Sequence, residues 1–258
     1  MTSASSAGLE LVGLSKRFGD TLAVDDVTFA VPPGQTWGLI GPNGAGKTTC
    51  FNLVSGFLRP TTGDVMWRGE SVARYVPAAR ARRGIVRSFQ QARTFTGLTV
   101  HDHLLIASHL ERRSGFLADL AGTPSSRRAE RAIGERADEL VATYGLDTIV
   151  DRPAASLPYG LKKRLGFIMA LAPRPSILLL DEPAAGLNFE EVATLRGDLD
   201  MLRETDITVL LVEHNMGLAM KVCQMIVVLD AGRILAQGEP RDVADDEQVK
   251  RAYLGSRK

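Results

Sequence analysis

The stretch GPNGAGKT, Gly41–Thr48, constrains the fold of this chain more than any other. It satisfies G-x-x-x-x-G-K-[S/T] at every fixed position. Glycines let a backbone wrap a phosphate closely, and successive N–H groups turned inward form an anion nest. A helix that follows such a loop presents its positive end to the same anion. The flanking sequence supplies both halves of this arrangement. TWGLI, Thr36–Ile40, reads as a buried strand. The segment from Lys47 reads as a helix that Gly56 and Pro60 end. A chance glycine turn has no reason to sit between these two elements. The expected phosphate contacts are Gly41, Pro42, Asn43, Gly44, Ala45, Gly46, Lys47, Thr48 and Thr49. Lys47 would reach the terminal phosphates, and the Thr48 hydroxyl would ligate Mg²⁺.

A second element complements the loop. SILLLDE, Ser176–Glu182, is an apolar run that ends in two acids. Such a strand holds its acids at the C-terminal edge of a sheet, where open α/β folds bind ligands. Asp181 is expected to hold Mg²⁺ through water, and Glu182 to accept a proton from an attacking water or orient it. Together, loop and acidic strand point to nucleotide hydrolysis.

Further strands are expected in the alternating segments of Leu9–Val31, with a turn near Gly19, and at Ile85–Phe89, Ile207–Glu213 and Met225–Asp230. Helical, charged sequence fills Thr99 to about Tyr144. Buried strands alternating with helices predict an α/β fold, with a mostly parallel sheet covered on both faces. SSRRAERAIGERADELVATYG is expected to be a solvated amphipathic helix, and ARARRG at Ala79–Gly84 likewise a solvated basic face, not a nucleic-acid patch. The 258 residues carry a net charge of only +1, so no overall field favours nucleic acid or an anionic membrane. The two cysteines, Cys50 and Cys223, lack metal-ligand spacing and read as buried free thiols. His101, His103 and His109 have no matching acids or cysteines, and no metal site is expected there. The opening MTSASSAGLE has neither a basic nor an apolar region, so no secretory signal is expected, and no apolar run is long enough to span a bilayer.

In this order the motifs resemble those of the ATP-binding subunits of ABC transporters, along roughly Leu9–Gly255. RSFQQ resembles the Q-loop, with Gln90 at the glutamine position. SLPYGLKKR lies where the signature, commonly L-S-G-G-Q, stands. AAGLN resembles the D-loop, LLVEHNM resembles the switch segment with His214 at the histidine position, and Phe18 matches the aromatic residue that stacks on adenine. GPNGAGKTTCFNLVSGFLRPTTG, SFQQARTFTGLTV, DEPAAGLN and VKRAYLG are similar to the importer ATPases for branched-chain amino acids. The segment Glu111–Arg131 resembles the larger of that importer's two ATPase subunits, although urea and amide importers share these features.

The resemblance implies a P-loop NTPase (RecA-like) core at about 9–95 and 165–240, with an antiparallel β part. It also implies a helical subdomain with the signature at about 96–164, a C-terminal segment at 241–258, and a tail at 1–8. It further implies ATP and Mg²⁺ as cofactors, with Thr48, Gln90 and Asp181 on the metal and Glu182, His214 and Gln90 at the reacting phosphate. Phe18 and Val24 would lie against the nucleoside, and Leu157, Pro158, Tyr159, Gly160, Leu161 and Lys162 would act on a partner's nucleotide. The implied partners are a second ATPase subunit (a heterodimer before a homodimer), two transmembrane permease subunits and, indirectly, a solute-binding protein, but no nucleic acid. The implied location is the cytoplasmic face of the membrane, held there by the permease.

Three departures stand out. Asn188 replaces the usual D-loop Asp, and Met169 a frequent Arg. In the signature, Pro158, Tyr159 and Leu161 replace Ser, Gly and Gln. The lost serine cap typically costs about 1 kcal/mol, which a proline suited to helix starts would partly offset. Lys162 and Lys163 oppose the helix dipole in the first turn and become candidates to supply charge to the partner's nucleotide. A lipid or lipopolysaccharide exporter is the rival within the family. A soluble ATPase acting on DNA or ribosomes lacks its expected coiled coils or second cassette, and a metabolite kinase would have no use for a signature, D-loop or switch histidine.

Overall fold

The computed structural model describes residues 8–88, 95–109 and 124–254. They form two compact units, residues 1–87 with 176–258 and residues 88–175. The first unit contains both sheets. One is antiparallel in the order β2-β1-β4-β5, from β1 (Leu9–Phe18), β2 (Thr21–Val31), β4 (Thr62–Trp67) and β5 (Glu70–Ser71). The other runs β10-β9-β3-β8-β7-β6, from β3 (Thr36–Ile40), β6 (Ile85–Arg87), β7 (Ile177–Asp181), β8 (Thr208–Val212), β9 (Met225–Asp230) and β10 (Arg233–Gly238). Its strands β9, β3, β8, β7 and β6 are parallel, and β10 returns antiparallel to β9. Every residue of β3, β7 and β8 is buried, which is why these strands read as continuous apolar runs and not as alternating ones. Within the described residues the strand expected at Ile85–Phe89 ends at Arg87.

Helix α1 (Lys47–Ser55) starts and stops where the sequence predicts, and Gly56 caps it at φ 83°. Its last turn has a further support. Arg80, on the short helix α2 (Pro77–Ala81), donates from Nη1 to Leu53 O at 2.7 Å and to Val54 O, and from Nε to Tyr75 O at 3.0 Å. The Arg80 side chain is therefore wholly buried, whereas ARARRG had been expected to be a solvated face. Burial lowers its guanidinium to about 10. A cation at a helix C-terminus satisfies carbonyls that have no partner within the helix.

The second unit holds α3 (Val100–Ser108), α4 (Pro124–Tyr144) and α5 (Tyr159–Leu171). Ile133, Ala137, Leu140, Val141 and Tyr144 bury one stripe of α4, as the amphipathic pattern requires. The two long helices cap each other's ends. Arg136 of α4 bonds Leu171 O and Ala172 O at the end of α5, and Arg164 of α5 bonds Tyr144 O at the end of α4. Helix α5 runs unbroken through the expected boundary at 164/165 and belongs entirely to this unit.

After β7, the chain of the first unit continues through α6 (Phe189–Leu202), α7 (Met216–Val222), α8 (Pro240–Asp245) and α9 (Glu247–Leu254). No described helix is long and apolar enough to cross a membrane.

Candidate active site

The loop Gly41–Thr48 leaves the C-terminal end of β3 and enters α1, and backbone neighbours hem it in. Gly41 has φ 149°, and a Cβ there would collide with the Leu229 carbonyl of β9. Gly46 has φ 97° and lies against the Ala23 carbonyl of β2 in the same way. Gly232, in the β9–β10 turn, donates its N–H to Ala45 O at 3.0 Å. Gly41 and Gly46, the motif's two fixed glycines, are thus demanded twice, by dihedral angle and by lack of space. Lys47 is buried and donates from Nζ to Gly41 O and Pro42 O, both at 2.8 Å. Burial lowers its ammonium's pKa, and the charge of Glu182 partly opposes this. A buried cation on a glycine cradle at a helix N-terminus is chemistry suited to a polyphosphate.

Asp181 ends β7, pairs in register with Val212 of β8, and is buried. Arg87 donates to its Oδ2 at 2.7 Å, whereas Oδ1 is buried with no hydrogen-bond partner among the described residues. Burial raises the carboxyl's pKa, and Arg87 pulls it back. An orphaned carboxylate oxygen beside a phosphate loop fits a hydrated divalent cation, whose waters would be its donors. Thr48, exposed at the start of α1, carries the hydroxyl expected to join it.

Glu182 adopts φ 47°, a left-handed conformation that costs a non-glycine residue about 1–3 kcal/mol and tends to mark functional sites. Its N–H donates to Val212 O at 2.8 Å, and its Oε1 lies 2.7 Å from Nε2 of His214. Two of the three residues expected at the reacting phosphate are therefore in contact. A third acid, Glu213, arranges them. It is buried, with Oε1 accepting from Ala184 N at 2.8 Å and Oε2 from His214 N and Asn215 N, both at 2.9 Å. One carboxylate thereby joins the segment after Glu182 to the segment of His214.

The other expected residues fall as follows. Phe18 is about half exposed at the end of β1, with the Lys16 ammonium 5.2 Å from its ring centre. Val24 is fully buried in the core, so its side chain has no surface to offer a nucleoside, although the neighbouring Ala23 carbonyl borders the loop. Gln90 lies outside the described residues. Asn188 caps α6, accepting from Glu191 N at 3.0 Å while Glu191 returns a bond to Asn188 N. An aspartate would fill this role equally well.

In the second unit, Leu157 and Gly160 are buried, and Pro158 and Tyr159 are exposed. Pro158 takes the N-cap of α5, with φ −54° and ψ 156°, and supplies no side-chain cap. Pro158 therefore stands where the capping serine would, at the start of the helix. Lys163 lies with its ammonium 5.8 Å over the ring of its own Tyr159. His103, also in this unit, bonds Thr99 O through Nδ1 at 2.7 Å and Phe95 N through Nε2 at 2.9 Å.

Sequence reasoning missed Glu213, Arg87 and Arg80. Glu213 and Arg80 are buried and Arg87 is partly buried, and no local pattern distinguishes them from surface charges.

Comparison with known proteins agrees with this geometry. A family model described as ABC transporter matches residues 24–185, and one described as branched-chain amino acid ATP-binding cassette transporter matches residues 233–258. The chain is 43% identical over 248 residues to the high-affinity branched-chain amino acid transport ATP-binding protein BraF of Pseudomonas aeruginosa, covering 96% of this chain and 97% of that one. Over the same shares it is 41% identical to the high-affinity branched-chain amino acid transport ATP-binding protein LivG of Escherichia coli K12. The crystal structure of the ADP conformation of an ATP-binding cassette of an ABC transporter matches with a TM-score of 0.83 at 28% identity, covering 98% of this chain and all of that one. Loop, acidic strand end, family match and near-complete coverage agree, and the chain belongs to the ABC transporter ATP-binding family, as an ATPase with a P-loop core.

Proposed function

We propose that this chain is the ATP-hydrolysing subunit of an importer for branched-chain amino acids. The observation that carries the reading is the 43% identity to BraF over nearly the full length of both chains, supported by the family match at residues 233–258. Membership of the family implies permease subunits in the membrane as partners. The finer arrangement proposed is a cytoplasmic-face complex of two permeases and two ATPase subunits, fed by a solute-binding protein. The second ATPase would be a different chain, pairing head to tail so that Leu157–Lys162 meets its nucleotide.

In this reading Lys47 and the glycine cradle bind the β- and γ-phosphates. Thr48 and Asp181 would hold the Mg²⁺, which neutralises phosphate charge when bound. Glu182 takes a proton from the attacking water or orients it. His214, 2.7 Å away, holds the glutamate and the γ-phosphate in line. Phe18 stacks on adenine, and Gln90 would join the metal and the γ-phosphate.

The test is to reconstitute the chain with its permeases, partner ATPase and binding protein in liposomes. ATP-dependent uptake of labelled leucine, isoleucine or valine is expected, and it should vanish with Glu182→Gln. Uptake of urea or an amide instead would move the substrate and keep the mechanism. ATP-driven lipopolysaccharide export without amino-acid uptake would overturn the reading. That second reading has its own observation, a 36% identity over 94% of this chain to the lipopolysaccharide export system ATP-binding protein LptB of Haemophilus influenzae.

A further inference from the structure

Arg87 ends β6, and no motif assigns it a role. Its guanidinium nevertheless makes several connections beside the acidic strand. Nη2 donates to Asp181 Oδ2 at 2.7 Å. Nη1 donates to Asn52 Oδ1 at 2.7 Å and to Ser55 Oγ at 3.2 Å, both on α1. The rings of Phe51 and Phe57 lie 4.7 Å and 5.0 Å from the guanidinium carbon. One planar cation therefore joins the helix that begins with Lys47 and Thr48 to the strand that ends with Asp181. Lysine could not do this, because a single ammonium cannot occupy two ends of a fork at once.

The division of Asp181 is informative. Oδ2 is committed to Arg87, and Oδ1 is buried and unpartnered among the described residues. A carboxylate held this way cannot rotate without losing a charge-assisted bond, so Oδ1 remains the oxygen offered to a cation. Arg87 also sets the spacing between Thr48's helix and Asp181's strand, the two groups on which a Mg²⁺–nucleotide would rely. The guanidinium charge opposes the approach of a cation. Hydrogen bonds that orient a ligating carboxylate still raise metal affinity in general, and their loss lowers it.

We propose that Arg87 is a positioning residue for the metal half of the nucleotide site: it fixes Asp181 and ties it to the phosphate-loop helix, so that Mg²⁺-ATP is favoured over ATP alone. The proposal rests on the nucleotide site and is independent of which solute is carried.

The test is ATP binding to the full chain by calorimetry, with EDTA and across a MgCl₂ titration. Arg87→Lys and Arg87→Gln should raise the Mg²⁺ concentration for half-maximal tightening ~10–100-fold, the usual cost of losing a partner behind a metal ligand. Binding in EDTA, which depends on the loop, should change less than about threefold, below the tenfold that 1.4 kcal/mol represents. Asn52→Ala keeps the ion pair and removes the shorter of the two hydrogen bonds to α1, and should shift the Mg²⁺ midpoint in the same direction by less. It also provides a reading if the Arg87 variants fold poorly. An unchanged Mg²⁺ midpoint overturns the proposal. Equal weakening with and without Mg²⁺ overturns it too, because that is the signature of a packing residue.

Discussion

The phosphate loop and the signature segment both end at a helix N-terminus, and the two are built in different ways. At α1 the backbone conformation does the work. Gly46 is the N-cap at φ 97°, Gly41 and Gly46 have no room for a Cβ, and Gly232 and Lys47 hold the loop's carbonyls. At α5 the anchor is apolar. Leu157, Leu165 and Phe167 are buried, and Pro158 and Tyr159 face outward without a side-chain cap. Where backbone geometry is the functional element, few sequences satisfy it and the motif is rigid. Where a buried anchor and an open helix end suffice, exposed positions can change. Other helices of the chain show the ordinary solution, with Thr99 and Asn188 in capping boxes and Asn215 as a side-chain cap.

The largest effect should come from the acid edge beside the loop. Glu182→Gln removes the proton acceptor and keeps the shape. ATP turnover should fall by ~10²–10⁴-fold, the range for loss of a general base, with ATP affinity nearly unchanged. Steady-state turnover and equilibrium binding on the same preparation check this. A matching loss of affinity would show that Glu182 supports the loop and not the reaction.

Gly46→Ala comes next. It forces a side chain into a left-handed conformation and against the Ala23 carbonyl. At about 1–3 kcal/mol of strain, ATP binding should weaken ~5–100-fold, measured by titration. Tyr159→Ala at the exposed start of α5 should leave this chain's own ATP affinity unchanged. A weakening as large as that of Gly46→Ala would break the contrast between the two helix ends.

These expectations show where the sequence was legible. The loop, β3, α1 and β9 could be read because their requirements are local: glycine at positive φ, a buried run, a glycine stop. The helical stripe of α4 was legible because its period is. Glu213, Arg87 and Arg80 were not. Each is a charge whose role depends on what folds against it from far along the chain, such as Asp181 meeting Arg87 from 94 positions away. Val24 is the opposite case: its side chain is fully buried, and a residue's place in a motif does not say which way its side chain points.

Glu213→Ala tests the concealed part of the acid edge. The carboxylate satisfies three backbone N–H groups in a buried place, and leaving one such donor unpaired costs roughly 1–3 kcal/mol. Urea unfolding should show a loss of at least that size, and turnover should fall with it as His214 loosens. Asn188→Ala, at an exposed cap, should cost only about 1 kcal/mol.

The smallest effect belongs to the signature, where opposing terms nearly cancel. Pro158→Ser would place a hydroxyl at the N-cap of α5, able to accept from Gly160 N or Leu161 N, and a good cap contributes about 1 kcal/mol. The same change frees the unfolded chain, and losing a proline compatible with its site costs about 0.4–1 kcal/mol. Stability in urea should therefore move by less than ~0.6 kcal/mol in either direction. A gain near the full cap value would mean that α5's first N–H groups lack acceptors within the chain, which is the condition for offering them to a partner's phosphate. Lys162→Ala and Lys163→Ala then separate backbone from side chain. With Lys163 lying over its own Tyr159, the kinetic constants of the assembled transporter should respond more to Lys162. Unchanged KM and kcat for both would leave the helix end alone as the anion-binding element.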